Sequence, residues 1–311
     1  MIIKDDDDGQ RLDRFLKKAF PSVTFGQSQK LIRTGQIRIN GKRAKADSRL
    51  SAGDDLRLPP SLQDGNPEKN DKQFSVKDHA LIESLRLFED ADILVLNKPA
   101  GLAVQGGSKT KRHIDGLLNS YQKKGVKPRL VHRLDKDTSG ILVLAKTADA
   151  ARELTHAFQG HDVQKTYWAI TAPAPLQENG TIDAAIGKSS VRQDGGEIMI
   201  HDPENGKKAI TDFEILDRAG KQAALVAFYP KTGRTHQIRV HAALIGAPLL
   251  GDRKYNPQPF PFENDKIYNG LHLHAHALEF PHPKTRISIR IEAPLSKNFL
   301  ETMEELGFIS R

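Results

Sequence analysis

Residues 141–145, Ile-Leu-Val-Leu-Ala, are an unbroken apolar run, the pattern of a strand buried on both faces. From residue 85 onward, "LRLFED", "DILVLNKPAG", "TYWAIT", "AITDFEIL" and "ALVAFYP" predict further strands. Helical spacing appears in "ADAARELTHAFQG", closed by Gly160. It recurs in "THQIRVHAALIG", where Ile238, Ala242 and Ile245 share a face and Gly246 ends the helix. This part of the chain reads as an α+β domain with a large sheet.

The N-terminal pattern differs. Leu12, Phe15, Leu16 and Ala19 have helical spacing, and a second helix over 27–34 stops at Gly35. "QIRINGKRAKADSRLSAGDDLRL" then reads as a strand, an Asn-Gly turn and a second strand. Polar residues with Pro, Gly and Asn follow, as in "PPSLQDGNPEKNDKQ". The expected organisation is an N-terminal domain over 1–60, a linker over 61–75 and a second domain over 76–311.

Charge separates the two parts further. The net charge is +8, and residues 9–60 alone hold twelve Lys or Arg against four Asp or Glu. Lys4 and the run Asp5 to Asp8 contribute −3, which leaves +3 for the remaining 251 residues. The aspartate run is expected to be a solvated tip. So uneven a basic surface favours a polyanionic partner. Cysteine is absent, which excludes disulfides, thiolate metal sites and thiol nucleophiles. The opening "MIIKDDDDGQ" resembles no targeting peptide, and no apolar run approaches membrane-spanning length. A cytoplasmic protein is expected, with no membrane contact.

Two stretches suggest chemistry on weak grounds. "GTIDAAIGKSS" ends like a phosphate-binding loop, but six residues separate Gly180 from Gly187 where that loop has four. His272, His274 and His276 share one face of an expected strand, yet Glu279 lies on the other face, so hydrogen-bonding histidines are favoured over a metal site. No Gly-x-Gly-x-x-Gly occurs to anchor a dinucleotide or S-adenosylmethionine. The stretch "VHRLDKDTSGILVLAK" (131–146) carries more. It crowds His132, Arg133, Asp135, Lys136 and Asp137 at the mouth of the driest strand, where a turn needs only Gly140 and Ser139.

That stretch resembles the catalytic motif of the RluA-type RNA pseudouridine synthases. "LNKPAG" (96–101), "KTY" (165–167), "TGRTHQIRVH" (232–241) and "LHLHAHALEF" (271–280) resemble the family's other motifs, in order. "AVQGGS" (103–108) and "RIEAPL" (290–295) look most like the RluC branch, which acts on large-subunit ribosomal RNA. The N-terminal part resembles the small RNA-binding domain of the S4 type, through Arg11-Leu12-Asp13, "GQIRING" and "LSAGDDLRL".

The resemblance implies a mixed or antiparallel-sheet catalytic domain with Asp135 as catalytic carboxylate. Tyr167 would stack on the target uracil, Arg239 would pair with Asp135, Arg133 would fill the RNA stack, and Leu278 would line the base pocket. Arg11, Arg14, Lys30, Arg33, Arg38, Lys42 and Arg43 would face phosphates. A monomer that binds ribosomal RNA and needs no metal or other cofactor is expected.

The chemistry suits these residue types. Isomerising uridine breaks the glycosidic bond and rejoins carbon five to the same ribose, with no oxidant or external group. It needs the base out of the stack, at a few kcal/mol. It also needs an ionised carboxylate, which a neighbouring guanidinium favours by lowering the pKa by about 1–3 units. The residues leave open whether that carboxylate attacks ribose, attacks the base or drives elimination. Uracil methylation at carbon five is excluded, since it usually begins with a thiolate. Two other classes stay open at this level. One is a non-catalytic assembly factor bound to ribosomal RNA, and the other is a base-releasing N-glycosylase.

Overall fold

Leu12, Phe15 and Leu16 are buried on one face of α1 (Leu12–Ala19), as their spacing predicts. The computed structural model describes the chain except residues 21–22, 24, 64–75, 107–111, 125–126, 161, 191–196, 257, 259 and 310–311. It divides into two units, Met1–Gln73 and Phe74–Arg311.

In the first unit α1 and α2 (Phe25–Arg33) accompany a three-stranded sheet of β1 (Arg38–Ile39), β2 (Lys42–Arg43) and β3 (Leu56–Arg57), ordered β2-β1-β3. Asn40 and Gly41 both take positive φ, 49° and 74°, as a two-residue hairpin turn with right-handed strand twist requires. The core joins Leu12, Phe15, Leu16, Ile32, Ile37, Leu50 and Leu56, and it extends to Leu62 in the short α3 (Pro60–Gln63). That packing runs past residue 60. Most of the expected linker, 64–75, lies outside the described residues. The aspartate run is more than a solvated tip, because Asp7 pairs with Lys18 at 2.7 Å and Asp8 accepts from the Ala52 amide at 3.0 Å.

The second unit opens with α4 (Val76–Leu85), a helix the apolar pattern did not announce, and continues into β4 (Arg86–Glu89) and β5 (Ile93–Lys98). Then come α5 (Ile114–Leu117), β6 (Arg129–Leu130), β7 (Ser139–Ala145), α6 (Ala148–Gln159) and β8 (Gln164–Thr171). After them the chain forms β9 (Asn179–Asp183), β10 (Ile186–Lys188), β11 (Met199–His201), β12 (Ile210–Ala219), β13 (Ala223–Pro230) and α7 (Gln237–Leu244). It closes with β14 (Leu273–Pro281), β15 (Ser288–Glu292) and α8 (Lys297–Glu305). Gly180 and Gly187 sit in the ladders of β9 and β10, so the phosphate-loop likeness has no loop behind it.

Ten strands form one sheet, in the order β4-β5-β7-β14-β8-β13-β12-β9, with β6 beside β7 and β15 beside β14. Among the described pairings of this sheet only β7 with β14 is parallel. β7 is buried along its whole length because each face meets its own cluster. Leu142 and Leu144 pack with Ile82, Leu117 and Tyr121, while Ile141, Val143 and Ala145 pack with Leu154, Ala157 and Phe280.

The strand histidines hold neighbours together. His272 Nε2 lies 2.9 Å from Thr302 Oγ1 of α8, and His274 Nε2 donates to the Ala293 carbonyl at 3.2 Å. His274 Nδ1 then accepts from Ser139 Oγ at 2.8 Å, and His276 stacks on Trp168 with centroids 3.9 Å apart. Burial lowers His272 and His274 to about 4, so both remain neutral.

Ser139 and Gly140, read from sequence as turn residues, are the first residues of β7. Gly140 has φ +108°, and a Cβ there would lie 2.3 Å from the Ala275 carbonyl oxygen of β14. Glycine is required by the parallel junction, where two backbones approach too closely for any side chain. Gly140→Ala is therefore expected to cost about 3 kcal/mol or more in urea unfolding. An unfolding midpoint equal to that of the parent protein would show that the β7–β14 junction is looser than described.

Candidate active site

The sheet register lays one row of residues across five strands. Lys98, Gly140, Ala275, Tyr167 and Phe228 stand opposite one another in sequence across β5, β7, β14, β8 and β13. Asp135 precedes this row on the turn leading into β7, and its carbonyl accepts from the Thr138 amide at 3.2 Å.

Lys98 holds that turn from below. It is fully buried, and its Nζ donates to the carbonyls of Pro99 at 2.9 Å, Leu102 at 2.8 Å and Lys136 at 3.0 Å. These three bonds use all three ammonium donors. The Lys136 carbonyl also accepts from the Gly101 amide at 2.9 Å. Burial pushes Lys98 down to about 8, against the pull of Asp137 and Asp135. On the other side His132 Nε2 accepts from the Val143 amide at 2.8 Å, and its ring stacks on Phe158 at 4.2 Å. Burial lowers His132 to about 3 and keeps it a neutral acceptor. Of the ionisable residues here, Lys98 and His132 anchor the turn, while Arg133, Lys136 and Asp137 are exposed.

Arg133, Asp135, Tyr167, Arg239 and Leu278 all line one cavity of about 320 Å³. Tyr167 reaches it from the middle of β8, and Leu278 from β14, opposite Lys165. Burial, then the charge of Asp135, raises the Tyr167 phenol, which keeps its proton. Lys165 lines the same cavity and is lowered by burial.

Arg239 differs from expectation. It forks onto Asp252, with Nε to Oδ2 at 2.8 Å and Nη2 to Oδ1 at 2.7 Å, and does not form its ion pair with Asp135. The fork compensates a nearly buried guanidinium, and against burial it raises Arg239, with Asp135 adding to the effect. Among the described residues the basic side chain within 4 Å of the Asp135 carboxylate is instead His236, whose Nε2 lies 3.8 Å from Oδ2. His236 caps α7 with φ 54°, and its Nδ1 lies 2.6 Å from the Tyr255 hydroxyl. The Tyr255 ring lies 4.9 Å from the Arg239 guanidinium carbon. Asp252, Tyr255 and His236 had no role in the sequence reading. A buried arginine calls for an acid, but no spacing rule points to one thirteen residues away.

Gln237, also buried, fixes the loop that carries His236. Its Oε1 accepts from Thr232 Oγ1 at 2.8 Å and the Arg234 amide at 3.0 Å, and its Nε2 donates to the Ile210 carbonyl at 3.0 Å.

The basic residues of the first unit are disposed unequally. Arg14, Lys30, Arg33, Lys42 and Arg43 are exposed. Arg11 pairs with Asp13 at 2.8 Å, and Arg38 donates to the Gly35 and Gly41 carbonyls, so both also shape the fold.

Residues 92–244 match the RNA pseudouridylate synthase family, and residues 10–56 match the S4 domain. The chain is 34% identical to ribosomal large subunit pseudouridine synthase C of Vibrio vulnificus, over 98% of this chain and 95% of that protein. Identity to the protein of the same name from Escherichia coli is 35%, over 98% and 96%. Human RNA pseudouridylate synthase domain containing 4 superposes with a TM-score of 0.63 at 29% identity, covering 76% of this chain and 97% of that one.

The Lys98 clamp is open to a stability test. Lys98→Met removes the donor shared by the Pro99, Leu102 and Lys136 carbonyls, of which Lys136 keeps the Gly101 amide, and is expected to cost about 3 kcal/mol in urea unfolding. Unchanged stability would mean that the Asp135 turn is held by other contacts.

Proposed function

The chain belongs to the RNA pseudouridylate synthase family, and from that premise we propose that Asp135 is the carboxylate through which it isomerises uridines of large-subunit ribosomal RNA. That it is an RNA pseudouridine synthase follows from the family. The target RNA is inferred from the relatives' names, and the residue roles from the cavity.

One observation carries the assignment. Arg133, Asp135, Tyr167, Arg239 and Leu278, drawn from positions 133 to 278, meet in a single cavity. A uridine swung out of its helix would enter between the Tyr167 ring and Leu278, which cover the base and exclude water. Arg133, exposed at the rim, would occupy the place that the base vacated. The Asp135 carboxylate would then face the sugar and base edge, with Arg239 supplying positive potential behind it and His236, lowered by burial, beside it as a neutral imidazole. The Tyr167 phenol retains its proton and suits a late proton transfer to or from the base.

Isomerisation within one nucleotide needs no group from outside, so a metal or nucleotide cofactor is not part of the proposal. Among the described residues no helix is long and apolar enough to cross a membrane. We place the activity in the cytoplasm, in a monomer. The S4 unit would bring affinity for RNA through Arg14, Lys30, Arg33, Lys42 and Arg43, with Arg11 and Arg38 contributing their exposed atoms.

Asp135→Asn tests the assignment while keeping shape and volume. Ribosomal RNA carrying tritium at uracil carbon five should lose tritium with the parent protein. With the variant, release should fall by about 10⁴-fold while RNA affinity stays within about threefold. Comparable release by the variant would remove Asp135 from the mechanism. Tight binding by the parent protein with no release would indicate an assembly factor instead.

A further inference from the structure

On the far side of Asp135 a second hollow, of about 550 Å³, shares Asp135, His236 and Arg239 with the uracil cavity. Past Arg253 and Asn269 it runs into a third, of about 400 Å³, bounded by Asn256, Gln258 and Phe260. The three make one trench leading away from the reacting centre.

Its floor is made of bare backbone. Gly251 has φ +74°, and a Cβ there would lie 1.9 Å from the Gly270 carbonyl oxygen. A Cβ on Gly270 would in turn lie 2.2 Å from Cζ of Tyr268. The Tyr268 ring therefore lies against Gly270, whose backbone packs on Gly251, and the residue remains 40% exposed. The Tyr268 amide donates to Thr302 Oγ1 at 3.2 Å, which ties this aromatic to α8.

The charges on the trench are distributed, not convergent. Lys136 and Arg253 are exposed and have no ion pair among the described residues. Lys254 donates to the Glu197 carbonyl at 2.6 Å, and Asp252 is already matched by Arg239. Asp137 is the exposed acid on the rim. A small anion needs several donors aimed at one point. An aromatic ring flanked by spaced cations and side-chain amides suits a chain of stacked bases and phosphates.

We propose that the trench from Asp135 past Tyr268 to Phe260 holds the single strand on one side of the target uridine. The neighbouring base stacks on Tyr268, and its phosphate lies by Arg253. This rests on the function proposed above and extends it to sequence context, because Asn256, Gln258 and Asn269 offer amides to base edges.

The test uses the full chain and a transcribed large-subunit ribosomal RNA fragment tritiated at uracil carbon five. Tyr268→Ala should raise KM about tenfold and leave kcat within about twofold, and Tyr268→Phe should restore KM. Arg253→Ala should reduce the log–log salt slope of binding by about 0.7. An unchanged KM in Tyr268→Ala, or a loss that Tyr268→Phe fails to restore, would overturn the proposal. Absence of tritium release by the parent protein would overturn the function and not the trench. Weaker binding of the same fragment by Tyr268→Ala would still support the trench, and equal binding would reject it.

Discussion

One buried ammonium organises the catalytic unit. Lys98 ends β5 in the interior and spends its three N–H donors on carbonyls of its own loop and of the turn that carries Asp135. An unpaired charge there would cost several kcal/mol. Three carbonyl acceptors and the nearby Asp137 and Asp135 offset that cost, and the protonated group sets one geometry for both loops. The row from Lys98 through Gly140 and Ala275 to Tyr167 then transfers this geometry across the sheet. Asp135 and Tyr167 are thus positioned from one sheet, although 31 residues and a helix separate them. That suits the role proposed for Asp135, a carboxylate that must meet a base delivered by a large and flexible RNA.

A second, electrostatic arrangement sits behind the carboxylate. Asp252 holds Arg239, Arg239 lies over Tyr255, Tyr255 meets His236, and His236 faces Asp135. Arg239 is thereby kept charged in a buried place without being spent on Asp135. The guanidinium is held by one acid while its charge reaches the other. Oriented charge of this kind is already in place when negative charge moves during reaction. Gly251 and Arg253, the chain neighbours of Asp252, line the hollow on the other side of Asp135.

Much of this was legible in the residues. The apolar run at 141–145 named the most buried strand, the helices ending at Gly35 and Gly246 stop at those positive-φ glycines, and the motifs brought Asp135, Tyr167, Arg239, Arg133 and Leu278 forward. What stayed hidden depends on register and tertiary contact. Gly140 looks like a turn residue until β14 is seen against it. Asp252 and Tyr255 have no periodicity linking them to Arg239. The helix α4 is too weakly two-faced to read from its pattern, since Val76 at its start is exposed and only Ile82 is fully buried. Lys98 could be recognised as part of a motif, but nothing in "LNKPAG" says that its side chain points inward.

The claim that joins fold, site and S4 unit is that this chain places pseudouridine in large-subunit ribosomal RNA. Its most direct test is a pseudouridine map of all ribosomal RNA from cells lacking the protein, compared with the same cells after the gene is restored. Discrete large-subunit positions should lose pseudouridine without the protein and regain it on restoration, while small-subunit positions should not change. An unchanged large-subunit map would contradict that claim.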